Sequence, residues 1–198
     1  MALPSISTPE FQTTIPSTGE TVSYRPFLVK EEKILLMAME GQDNREIYNA
    51  VLKLLQNCIT QDIEVNKLST FDIEYLFLKL RGKSVGEVVS LKVGHQNSEC
   101  KHLTEVDINL DEIEVNGEIS DGKIMITEDI GVKLRYPNMQ DVIKVDADDS
   151  AALFDMISSC IEYIFDKEEV YNEFTKEEIA EWTEQLNQTQ FKKITDFF

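Results

Sequence analysis

Histidine is nearly absent from this 198-residue chain, glycine is sparse at eight, and the 19 basic residues face 37 acidic ones. Each shortage excludes something. The two histidines, His95 and His102, share one short polar stretch, so a nucleophile paired with a histidine base has only that place to sit. Cys100 lies between them, but nothing around it supplies an oxyanion hole or a pocket, and the chain reads as no enzyme. Neither GxGxxG nor GxxxxGK[ST] occurs, so there is no phosphate-cradling loop. The three cysteines, Cys58, Cys100 and Cys160, stand far apart, as reduced thiols do and disulfide frameworks do not. No apolar run approaches the roughly 20 residues a membrane span needs. The start, Met1-Ala2-Leu3-Pro4, has no basic region of the kind that opens an export signal. A net charge of −18 argues against binding a phosphate backbone. No internal repeat is apparent in the sequence.

The acidity is uneven. Residues 146–184 hold thirteen Asp and Glu against Lys167 and Lys176. Such a run is a solvated face of amphipathic helices, or a surface that steers a basic partner and suppresses wrong contacts. Asp146, Asp148 and Asp149 resemble part of a calcium loop but lack its glycine and terminal glutamate. They read better as an N-cap cluster for a helix starting near Ser150.

Pattern and punctuation predict an α+β fold. Residues 1–26 carry Pro4, Pro9, Pro16 and Pro26 and form an extended arm with one short hairpin around Ser17-Thr18-Gly19, dispensable for folding. Residues 27–198 then make a single α+β domain. Its first part, 27–81, is a helical lobe: Glu31–Glu40 stopped by Gly41, a helix opened by the capping box Asp43–Glu46, and a third from Ser69. In the first of these, Met37 and Met39 with Leu35 and Leu36 read as core, with adaptable contact surface as the alternative. Residues 82–145 are mainly β, a small antiparallel sheet with two hairpins. One has its tip at Gly94–His102, and the other turns at Glu128–Gly131 with Gly131 available for positive φ. Glu112–Val115 extends the second strand. Residues 146–198 return to acidic C-terminal helices. Leu153, Met156/Ile157, Cys160/Ile161 and Ile164/Phe165 set one apolar stripe. Thr175–Glu178 is a capping box flanked by the hydrophobic staple Phe174/Ile179.

Two stretches go beyond periodicity. Tyr24-Arg25-Pro26-Phe27-Leu28-Val29-Lys30-Glu31, running on to Glu40, and Leu80-Arg81-Gly82-Lys83-Ser84-Val85-Gly86-Glu87 both resemble the baseplate hub subunit and hub assembly protein family of T-even-like contractile-tailed bacteriophages. The order of elements matches over nearly the whole chain. The resemblance implies a protein that takes part in assembly of the central hub, as hub component or as departing assembly chaperone. It implies other baseplate hub proteins as partners, while the residues themselves point to no nucleic acid, membrane or cofactor. It places the chain in the host cytoplasm during assembly and, for a hub component, in the virion tail baseplate. Relatives often carry paired cysteines in the hairpin corresponding to Gly94–His102, a zinc knuckle. Here only His95, Cys100 and His102 stand there, one ligand short of a tetrahedral site, so the knuckle is read as metal-free. The alternative is a stand-alone cytosolic protein-binding module with a degenerate zinc knuckle. For partner contact the C-terminal aromatics are the candidates, namely Trp182, Phe191, Phe197 and Phe198, because a terminal Phe-Phe pair must dock on its own domain or insert into a neighbour.

Overall fold

The computed structural model describes residues 6–94, 102–143 and 150–198, and the fold is α+β. It divides into two compact units. The first comprises residues up to Val65 together with Phe71–Asn116; the second is Asn66–Thr70 with Gly117–Phe198.

The first unit opens on a hairpin, β1 (Phe11–Thr14) and β2 (Thr21–Tyr24), turned where expected, with Gly19 at φ 72°. It is not a free arm. Ile15, Val22 and Tyr24 are all buried, and Ser17 donates from both its N–H (2.8 Å) and its hydroxyl (2.6 Å) to the buried Asp72 carboxylate. Alternating apolar residues on a short hairpin are enough to bury one face, and proline density, which excludes helix, says nothing against that.

Three helices follow: α1 (Val29–Glu40), α2 (Asn44–Cys58) and α3 (Thr70–Val85). Asp43 caps α2 through the Arg45 N–H at 2.8 Å. The chain between α1 and α2 turns through the left-handed region at Gln42 (φ 53°), whereas Gly41 stays right-handed. Helix α3 runs past Arg81, through the buried Gly82, which faces Leu110. The two sequence stretches that carry the family resemblance meet here: the Phe27 N–H donates to Ser84 Oγ (3.0 Å), which itself donates to the Leu80 carbonyl (2.6 Å). Lys83 bridges Glu87 and Asp111, at 2.5 and 2.6 Å. Strands β3 (Val88–Gly94) and β4 (Leu103–Asn109) then form a hairpin, and Leu110–Glu112 is a 3-10 turn, not a continuation of strand.

The second unit is built on a four-stranded antiparallel sheet, in order β5 (Lys123–Met125), β6 (Gly131–Leu134), β7 (Ile161–Phe165) and β8 (Val170–Tyr171). Helices α4 (Met139–Val142), α5 (Ser150–Ser159), α6 (Lys176–Glu184) and α7 (Gln188–Thr195) complete it. The core is Ile126, Val132, Leu134, Ile157, Ile161, Ile179 and Ile194. The stripe read as one helix from Leu153 to Phe165 breaks after Ser159. Its second half, Ile-Glu-Tyr-Ile-Phe, is β-branched and aromatic, and it fills the slot beside β6. The capping box at Thr175 forms as expected, with Glu178 N–H to Oγ1 at 3.2 Å and Thr175 N–H to Glu178 Oε2 at 2.7 Å.

Gly131 is required for room rather than for positive φ: a Cβ there would lie inside the ring of Phe165 on the neighbouring strand. Gly131→Ala is therefore expected to destabilise the chain by about 1–3 kcal/mol through overpacking, read as a lower denaturant midpoint with unchanged slope. An unchanged midpoint would show that the ring moves aside freely.

Candidate functional site

One arrangement occurs twice. At the end of β2, the Arg25 N–H donates to the Cys58 carbonyl at 3.0 Å, beside the bridge between Tyr24 and Ile59. The Arg25 guanidinium donates to the carbonyls of Pro26 (3.0 Å) and Asn57 (3.1 Å) and to Glu31 Oε1 (3.0 Å), while Glu31 Oε2 accepts the Leu28 N–H at 2.8 Å. At the end of β6, the Arg135 N–H donates to the Cys160 carbonyl at 2.9 Å, beside the pairing of Leu134 with Ile161. The Arg135 guanidinium reaches the carbonyls of Tyr136 (3.2 Å) and Ser159 (3.0 Å) and both oxygens of Asp141 (2.6 and 3.2 Å), and Asp141 Oδ2 accepts the Asn138 N–H at 2.9 Å. The acid stands six residues after the arginine in both, on the third residue of a helix, and the cysteine ends or follows the next long helix. The chain thus contains a local structural repeat that its sequence hides.

These clamps are structural. Burial raises the Glu31 carboxyl, but the hydrogen bonds from Arg25 and the Leu28 N–H and the Arg25 charge outweigh it and hold it below the usual carboxylate range. Asp141 is depressed in the same way by Arg135 and the Asn138 N–H, against the effect of its burial. Burial pushes both Cys58 and Cys160 up to about 11, so each thiol stays protonated and inert at neutral pH.

Of the residues in the 94–102 hairpin, His95 and Cys100 lie outside the described residues, and His102 is exposed at the foot of β4. The acidic cluster Asp146, Asp148 and Asp149 also lies outside them. Among the described residues there is no group of three potential ligands within reach of one metal ion, and no helix is long and apolar enough to cross a membrane.

The C-terminal aromatics are gathered by the second unit. Trp182, Phe191 and Phe197 pack half-buried against its core. Phe197 stacks on Tyr136 at 4.5 Å and Phe191 on Phe154 at 5.0 Å, while Phe198 stands edge-on to Phe197 and is 43% exposed. Lys193 ties α7 down by donating to the carbonyls of Met125 and Ile126, both at 2.9 Å.

The large exposed apolar surfaces of the first unit are elsewhere. On α1, Val29, Leu36, Met37 and Met39 are all exposed, and Glu31 is the one buried residue of that helix. Met37 and Met39, read as core, are exposed instead, while Leu35 and Ala38 on the same helix are half-buried. The β3–β4 hairpin is amphipathic. Val89, Leu91 and Val93 pair with Ile108, Val106 and Thr104 on one face, while Ser90 and Asp107 are hydrogen-bonded on the other. Leu91, Val93, Val106 and Ile108 are exposed. Soluble monomers rarely leave contiguous apolar surface of this kind uncovered, and it marks sites of protein contact.

An acidic α+β chain whose apolar helix and hairpin face outward belongs to the class of proteins that work by docking to other proteins. Residues 8–198 match the model of the T4 bacteriophage base plate protein family, and the chain belongs to that family. It is thus a phage baseplate protein, whose partners are other baseplate proteins and whose place is the virion tail. No curated protein and no solved structure matches it.

Proposed function

We propose that this chain is a non-enzymatic hub protein, acting in assembly of the central hub of the contractile-tail baseplate. The observation that carries this reading is the pair of sequence stretches resembling hub proteins, joined in space by the Phe27–Ser84 hydrogen bond, the first containing the outward-facing α1 and the second leading into the exposed β3–β4 hairpin. The chain's acidity disfavours early contact between copies and favours encounter with basic neighbours.

Mass spectrometry of purified virions and of hub intermediates from infected cells tests the reading. A hub component is found in both at a few copies per particle, and an assembly chaperone in the intermediates alone. A chain recovered only with peripheral baseplate proteins would overturn the hub assignment.

A further inference from the structure

The second unit carries a groove floored by Ile164, Phe174, Ile179 and Trp182 and rimmed by Asp166, Glu173 and Glu178. Tyr171 also lines it, and it belongs to β8, the outer strand of the sheet. The groove is formed by the packing already described: the staple that starts α6 sets Phe174 and Ile179 side by side, and Trp182 lies one turn further on. Asp166 is fixed by the N–H groups of Glu168 and Glu169, both at 2.8 Å, and by the Tyr171 hydroxyl at 3.0 Å. Glu178 is fixed by the Thr175 N–H, and Glu173 is exposed. Apolar side chains beside three carboxylates, two of them held in place, make a combination that discriminates by charge and binds by burial.

We propose that this groove seats an extended segment of a neighbouring baseplate protein, one apolar side chain resting against Trp182 while flanking lysines or arginines meet Asp166, Glu173 and Glu178. The proposal rests on the baseplate-assembly reading and names the partner's chemistry. A second copy of this chain is disfavoured as occupant, because it would bring another strongly acidic molecule against the same carboxylates. An extended segment suits the site because the outer edge of β8 has no strand beside it among the described residues, and its exposed Val170 offers the next contact. A tryptophan in a partly covered apolar pocket is the residue type most often found at the energetic centre of such interfaces.

Trp182 is the chain's single tryptophan, so its emission reports the groove. The experiment titrates the full chain with overlapping peptides that cover the other baseplate proteins of its phage and this chain itself. Peptides that shift the emission are expected to carry an apolar residue flanked by lysine or arginine. They should lose about tenfold in affinity to Glu173→Lys, an exposed change that spares the core, and weaken with added salt. The proposal is overturned if no peptide moves the emission, if those that do are acidic or come from this chain, or if Glu173→Lys leaves their affinity unchanged. Failure here with the chain still present in hub intermediates would sink the groove and spare the hub reading. Binding here by a chain absent from those intermediates would do the reverse.

Discussion

A chain shortened to begin at Ser23 is expected to lose the cooperative unfolding of its first unit, with a fall in stability of about 3–6 kcal/mol. The truncation removes β1 and half of β2, and with them the buried side chains of Ile15 and Val22, at 1% and 0% exposure. Fully burying a side chain of this kind contributes about 1.5–3 kcal/mol. The cut also takes away both hydrogen bonds from Ser17 to Asp72, a side chain at 0% exposure that would then be left with fewer donors. Domains of this size have only about 5–15 kcal/mol in hand, so the loss is large against the total. Calorimetry of the truncated and full chains is the direct measurement. A midpoint that moves by only a few degrees would show that the hairpin is a dispensable arm after all.

Replacing Arg25 by alanine should cost about 2–3 kcal/mol, since it leaves a carboxylate that is 2% exposed with the largely exposed Lys30 as its remaining cation, at 3.3 Å, and frees two carbonyls, one at the end of α2 and one just before α1. Arg25→Lys should recover little, because a single ammonium cannot copy a planar fork that serves Glu31, Asn57 and Pro26 together. Arg25→Ala combined with Glu31→Gln should recover part of the loss, for glutamine removes the stranded charge and still accepts the Leu28 N–H. The equivalent change at Arg135 should cost less, because both partners there are more exposed, at 31% and 11%. Sign follows from the depressed carboxyls. The stability each clamp supplies is complete above the ordinary carboxylate range and is lost as pH falls through the lowered folded values of Glu31 and Asp141. Wild type should therefore lose stability on acidification more steeply than the Arg25→Ala variant. Parallel acid-unfolding curves for the two would refute the clamp.

How much of this was legible before folding differed by element, for physical reasons. The capping box at Thr175 and the staple at Phe174 and Ile179 were readable because they are made by residues three to five apart, and local chemistry decides them. The break after Ser159 was not, because apolar residues at 157, 160, 161, 164 and 165 satisfy a helical period and a strand equally, and the vacancy beside β6 chose between them. The exposed methionines of α1 were misread because an apolar stripe states only that something covers it, and here nothing within the described chain does. The clamps were invisible for a further reason. Arg25 and Cys58 lie 33 residues apart while Arg135 and Cys160 lie 25 apart, and the proline falls one position later in the second copy, so no fixed period survives. Only the arginine with an acid six residues on is shared, a signal too short to notice without its geometry. Of the aromatics proposed for partner contact, Trp182 alone also lines the groove.

The order of the units along the chain has a consequence for synthesis. Everything that builds the first unit has been made once Asn116 is added, whereas the second unit waits for α7 near the last residue. At about 5–20 residues per second, the intervening stretch takes a ribosome roughly 4–16 s. Through that interval the nascent protein already displays the uncovered leucines, valines and methionines of α1 and the β3–β4 hairpin, while residues 117–198, which carry −11 of the −18 net charge, are still to come. Exposed apolar surface is thus presented early, on the ribosome, and a baseplate partner translated nearby would meet this chain before most of its net negative charge is in place.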